Sequence, residues 1–132
     1  MSGTIIGIDP GANGGIATLS GEGLSVFPMP WLVGFGVDHT AVRAILIAAD
    51  HVFIEEVQTR GYIGRKRCPL CKRGAGQSSA ATLTTGINWG LIVGAVRMIG
   101  CPLTIVPVRS WQKAMLDGLS KVDRKARKAA AV

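Results

Sequence analysis

Two apolar runs in this sequence end in carboxylates. Thr4-Ile5-Ile6-Gly7-Ile8 leads into Asp9-Pro10-Gly11, and His51-Val52-Phe53-Ile54 leads into Glu55-Glu56-Val57. Ile5 to Ile8 is β-branched apart from Gly7 and has no polar position, the composition of a strand buried on both faces. An acid at its mouth is unexpected. Asp-Pro-Gly is also a good turn, with Pro setting φ and Gly allowing positive φ, and the second acidic strand is what shifts the balance toward chemistry. Two carboxylates brought together repel, so one binds a proton or a cation neutralises both. In a basic chain a divalent ion is the simplest solution, and Mg²⁺ suits it because it takes few carboxylates and completes its shell with water and phosphate oxygens. Such an ion activates water and stabilises the leaving oxygen of a phosphodiester. Alternation along a strand lets at most one of Glu55 and Glu56 point at Asp9. Spacing alone leaves open which one, and also that both simply face solvent.

For these acids to meet, their strands must lie side by side. A helical pattern begins at Asp38-His39-Thr40-Ala41, with Asp38 or Thr40 as N-cap and Val42, Ile45, Leu46 and Ala49 on one face. A helix between two strands is a crossover that makes them parallel. Asp9 and the Glu55-Glu56 pair then emerge at the same C-terminal edge, where open α/β sheets place their sites. Ala12 to Gly15 reads as a tight connection, Ile16 to Ser20 as a returning strand, and Leu24 to Phe27 as a third strand after the turn Gly21-Glu22-Gly23, an antiparallel meander. Met29 to Val37 suits neither period and is expected to be irregular.

Beyond the second acidic strand, Gln58 to Gly76 holds Arg60, Arg65, Lys66, Arg67, Lys72 and Arg73 with no acid, interrupted by glycines and by Cys68-Pro69-Leu70-Cys71. From Gln77 to Gly100 the pattern is helical, with Ser78 or Ser79 as N-cap and Gly86, Gly90 and Gly94 in one stripe. Each glycine costs up to ~1 kcal/mol of helix propensity relative to Ala, so the stripe implies close approach of another backbone. That backbone belongs either to the domain's own sheet or to a partner's helix. Pro102 to Val108 reads as a strand near an edge. Ser110 is expected to cap a short helix, Trp111 to Leu116, closed by Gly118, and Ser120 a last helix through Val132 carrying Lys121, Arg124, Lys125, Arg127 and Lys128. The expected order is β-β-β-α-β-α-β-α-α, in one domain spanning residues 1–132.

Composition bounds the partners. A chain of 132 residues with 48% hydrophobic and 17% charged residues supports a real core and is not disordered. Its 15 Lys plus Arg against 8 Asp plus Glu give a net charge of +7, which favours a polyanionic partner through counterion release. Three cysteines with no signal peptide point to a reducing cytoplasm and a protein that is not secreted. Cys68 and Cys71 have the spacing of half a zinc site, but two unliganded thiols are expected. No run reaches the roughly 20 apolar residues of a membrane span; the longest, Ile87 to Met98, contains Asn88 and Arg97.

Ile6-Gly7-Ile8-Asp9-Pro10-Gly11 with a glycine-rich return, then Phe53-Ile54-Glu55-Glu56-Val57, then Gly86-x-x-x-Gly90, resembles the RuvC-type Holliday junction resolvases, especially their phage and organelle-type relatives. The resemblance extends over nearly the whole chain. It implies a ribonuclease H-like α/β fold: a five-stranded mixed sheet, made of a three-strand antiparallel meander plus two parallel strands, flanked by helices. It also implies a homodimeric endonuclease, dependent on Mg²⁺ with Mn²⁺ able to substitute, that nicks four-way DNA junctions in the cytoplasm, or in an organelle or a phage's host. On this alignment Asp9 and Glu55 take the metal-binding catalytic positions, and Lys113 and Lys121 fall where the family has lysines near the scissile phosphate. The cations Arg60, Arg65, Lys66, Arg67, Lys72, Arg73, Arg124, Lys125 and Lys128 would contact DNA, and Gly86, Gly90 and Gly94 would line the dimer interface.

The chain departs from the pattern in three places. Where some relatives place an aromatic wedge after the second acidic strand, it has Gln58, with Tyr62 the only aromatic nearby. The Cys68-x-x-Cys71 insert is not a general family feature. The family's remaining catalytic acids lie on a C-terminal helix that this sequence does not reach, and neither Asp117 nor Asp123 matches them, so the expectation is a domain lacking that helix, which folds and dimerises but cleaves poorly or not at all. A junction-binding protein without nuclease activity is the alternative. An ATPase of the actin or sugar-kinase type, which also places Asp and Gly after a strand, needs a second similar domain that 132 residues do not supply.

Overall fold

A computed structural model describes residues 3–11, 13–57 and 79–116. In chain order the elements are β1 (Ile5–Asp9), β2 (Gly15–Ser20), β3 (Gly23–Pro28), a ribbon of β4 (Trp31–Leu32) and β5 (Gly36–Val37), α1 (His39–Leu46), β6 (His51–Glu55), α2 (Ser79–Ile99), β7 (Leu103–Val106) and α3 (Val108–Leu116). The main sheet has the order β3-β2-β1-β6-β7. Strands β1, β2 and β3 form the expected antiparallel meander, and β1, β6 and β7 run parallel. The basic insert with its Cys68–Cys71 pair and the last expected helix, with Lys121, Arg124, Lys125 and Lys128, lie outside the described residues.

One face of the sheet is the core. Ile6, Ile8, Ile16, Val52 and Ile54 are buried there under Val42 and Leu46 of α1 and Ile92, Val93 and Val96 of α2. Burying each such side chain contributes roughly 1.5–3 kcal/mol. The opposite face is a correction to the expected double burial of β1. Ile5, Leu19, Leu24, Val26 and Phe53 remain exposed on it, because the described residues place both crossover helices, α1 and the long α2, on the first face and only α3 on the second.

Local chemistry sets the boundaries. Asp38 is the N-cap of α1, its Oδ1 accepting the N–H groups of Thr40 and Ala41 at 3.0 Å, which decides between the two expected caps. The segment expected to be irregular instead forms the β4–β5 ribbon. Its strands are only two residues long, Gly34 and Gly36 adopt φ of 81° and 91°, and Met29 just before it and Val37 of β5 are buried in the core. Helix α2 ends where Gly100, at φ 78°, lets Cys101 N–H reach Val96 O and Gly100 N–H reach Arg97 O. Helix α3 begins at Val108, not at Trp111, because the Pro107 carbonyl already accepts the N–H groups of Ser110 at 2.9 Å and Trp111 at 3.4 Å. Ser110 is therefore inside the helix.

The glycine stripe does not face this chain's own sheet. A Cβ added at Gly86, Gly90 or Gly94 would meet nothing within 4 Å. Leu83, Ile87, Leu91 and Met98 are exposed on the same helix, with Met98 at 90%. Of the two expected backbones, the domain's own is not there among the described residues.

Candidate active site

The register of β1 against β6 places the acids. Asp50, just before β6, grips the entry to β1: its N–H donates to Thr4 O at 2.8 Å and its Oδ2 accepts the Thr4 N–H at 2.6 Å. From that start Ile5 pairs with His51, Gly7 with Phe53 and Ile8 with Ile54, so Asp9 and Glu55 end their strands side by side. Alternation turns Ile8 and Ile54 into the core and Asp9 and Glu55 to the opposite face. There both acids line one cavity with Gly7, Phe53, Val106 and Trp111. Glu56, one residue on, is exposed and does not line it.

The loop after β1 orients the first carboxylate. Asp9 Oδ1 accepts the Gly11 N–H at 3.0 Å, and Gly14 N–H closes the turn onto Gly11 O at 2.9 Å. Only glycine fits at position 14: a Cβ there would collide with the Asp9 carbonyl oxygen and lie 2.8 Å from Asp9 Oδ1. The turn is therefore built around the Asp9 side chain, and its composition serves both the turn and the site.

Glu55 is held differently. Its backbone carbonyl accepts the indole N–H of Trp89, on α2, at 3.1 Å. Its carboxyl is pushed above the ordinary value of 4.5, first by burial and then by the charge of Asp9, while the indole of Trp111 pulls the other way. Trp111 Nε1 is itself buried without a hydrogen-bond partner: the donor is near enough to influence the carboxylate without bonding geometry to it. Repulsion between the acids is thus present in the folded chain, and a bound cation would relieve it.

This donor set fits a hard divalent ion that completes its shell with water and phosphate oxygen. It is a small set: among the described residues no group of three or more His, Cys, Asp or Glu side chains is placed to hold a metal. Cys101 is not available for one, since its Sγ donates to Ala49 O at 3.3 Å and burial, with the nearby Asp50, pushes its thiol pKa up. Lys113 lies on α3 but is exposed and does not line the cavity, because two residues turn a helix by about 200° from Trp111. Lys121 and the expected DNA-contacting cations from Arg60 to Arg73 and from Arg124 to Lys128 are outside the described residues. Sequence reasoning missed both tryptophans that flank Glu55. The available signal was their rarity, with Trp at 3 positions and aromatics only 5% of the chain.

No protein-family profile and no curated relative matches the sequence. Among solved structures, that of Thermus thermophilus RuvC in complex with a Holliday junction substrate matches with a TM-score of 0.52 at 13% identity, over 88% of this chain and 71% of that one. A second structure of Thermus thermophilus RuvC matches with a TM-score of 0.49 at 15% identity, over 94% of this chain and 74% of that one. At such identities the likeness is one of fold. Together with the strand order β3-β2-β1-β6-β7 and its antiparallel meander, it makes this a chain with the RuvC-like, ribonuclease H-like fold.

Proposed function

We propose that this protein is a structure-specific DNA endonuclease that resolves four-way junctions by Mg²⁺-dependent phosphodiester hydrolysis. The observation that carries the reading is the pairing of Asp9 and Glu55, last residues of adjacent parallel strands, in one cavity on one face of the sheet. The RuvC of the first superposition is held with a junction substrate, and the net charge of +7 suits a DNA ligand. Asp9 and Glu55 would hold the ion jointly, with Mn²⁺ able to substitute. When bound, it supplies an activated water and charge stabilisation at the leaving oxygen. The chain's own residues do the rest. Gly11 holds the Asp9 carboxylate in place through its N–H, Trp89 anchors the Glu55 backbone, and the basic stretches seat the phosphates. Lys113, exposed on α3 and turned away from the cavity, would contact a DNA phosphate outside it, with Lys121 as a second phosphate contact.

The test is nicking of a synthetic four-way junction against linear duplex, with and without Mg²⁺. Asp9→Asn and Glu55→Gln are each expected to abolish nicking and spare junction binding, and Glu56→Gln to change neither. If Glu56→Gln is the inactivating change, the assigned register is wrong. The two-carboxylate donor set favours one second reading, a junction-binding protein without nuclease activity; wild-type protein that binds the junction and never nicks it would decide for that reading.

A further inference from the structure

Trp111 carries a feature that the proposed reaction leaves unused. Its indole nitrogen is buried and has no hydrogen-bond partner, although buried donors in native proteins are nearly always paired. The ring lines the same cavity as Asp9 and Glu55. Helix α3 starts early, at Val108 with the Pro107 carbonyl accepting the Ser110 and Trp111 N–H groups, which places Trp111 at its first turn, against the sheet's second face. Across the site, Trp89 already fixes the Glu55 backbone from α2, so what remains free is the orientation of the Glu55 carboxylate. A carboxylate has about four lone-pair sites and can accept an N–H on one oxygen while the other ligates a metal.

We propose, resting on the reading of Asp9 and Glu55 as a metal pair, that Trp111 is a positioning residue. Its indole N–H takes one oxygen of the Glu55 carboxylate and turns the other toward Asp9 and the divalent ion. It touches neither the metal nor the reacting phosphate. Partners of this kind raise metal affinity by fixing the ligand's orientation, and losing one typically costs about 10–100-fold.

The experiment uses the full chain, with Mn²⁺ as the probe. In Trp111→Phe, which keeps the ring and removes the donor, the Mn²⁺ dissociation constant measured by calorimetry is expected to rise about 10–100-fold while the melting temperature without metal stays close to wild type. In metal-free protein the Trp111 indole N–H resonance, assigned by elimination with Trp31→Phe and Trp89→Phe, is expected to move in Glu55→Gln and to stay in Glu56→Gln. A folded Trp111→Phe with unchanged Mn²⁺ affinity overturns the inference alone, as does an indole resonance indifferent to Glu55→Gln, as it would be if the donor served a phosphate or water instead. If Trp111→Phe does not fold, the resonance measurement decides. A wild-type chain whose Mn²⁺ binding ignores Asp9→Asn overturns the metal reading itself, and this inference with it.

Discussion

Glu55 is a residue whose local environment opposes its charge. Burial and the neighbouring Asp9 both raise its pKa above 4.5, so the folded chain holds the proton more tightly than the unfolded chain does. Stability attributable to Glu55 is therefore fully present below the unfolded value and is lost as pH rises through the folded one. Glu55→Gln removes that loss. In chelator at pH 7 the Glu55→Gln variant is expected to melt above wild type, with the gap closing as pH falls below about 4. Adding Mg²⁺ should raise the melting temperature of wild type and leave that of Glu55→Gln unmoved. A wild-type protein at least as stable as Glu55→Gln at pH 7 without metal would contradict the electrostatic picture of the pair.

At the scale of the element, α2 is apolar on more sides than its own domain covers. Ile92, Val93 and Val96 enter the core, while Leu83, Ile87, Leu91 and Met98 stay exposed around Gly86, Gly90 and Gly94. A helix that is hydrophobic all round is normally buried all round. A second copy of the chain, packed helix against helix along the glycines, is the partner this reading proposes. Because a Cβ at Gly90 meets nothing within 4 Å in the monomer, Gly90→Leu should leave the fold intact. It should nevertheless shift sedimentation from dimer to monomer at micromolar concentration. Gly90→Ala should do less to assembly while adding about 0.5–1 kcal/mol to helix stability. Unchanged sedimentation for Gly90→Leu would remove α2 as the interface.

For the whole molecule the decisive quantity is where the charge sits. Eleven of the 15 basic residues fall between Arg60 and Arg73 or between Lys121 and Lys128, more concentrated than a uniformly solubilised surface needs. If they seat DNA phosphates, the logarithm of the association constant for a junction should fall linearly with the logarithm of salt concentration. The slope should be about 0.9 per phosphate contact on duplex arms. Neutralising Arg65, Lys66 and Arg67 together should flatten that slope, and a salt-independent affinity would rule out the phosphate assignment. Among the described residues no helix is long and apolar enough to cross a membrane.

What the sequence by itself determined is whatever depends on neighbours along the chain. The apolar runs into Asp9 and Glu55, the glycine return that makes β1 and β2 a hairpin, a helix start capped by Asp38 or Thr40 and the edge position of β7 were all legible, because composition and period act over a few residues. The order of elements then implied parallel pairing and a shared edge for the acids. Strand spacing left Glu55 and Glu56 open and the resemblance pointed to Glu55; it is the tertiary structure that puts Glu55, and not Glu56, in one cavity with Asp9, since that depends on register, and the register begins at the Asp50–Thr4 hydrogen bonds 46 residues apart. It also decided that the ribbon Trp31–Val37 is ordered, since two-residue strands carry no period and their stability comes from burying Met29 and Val37. The two indoles around Glu55 were out of reach for the same reason. Trp89 meets the Glu55 carbonyl across 34 residues, and Trp111 comes from a helix whose start is set by the Pro107 carbonyl. Contacts of that range depend on how layers pack, and a sequence states its layers without stating which side chains meet between them.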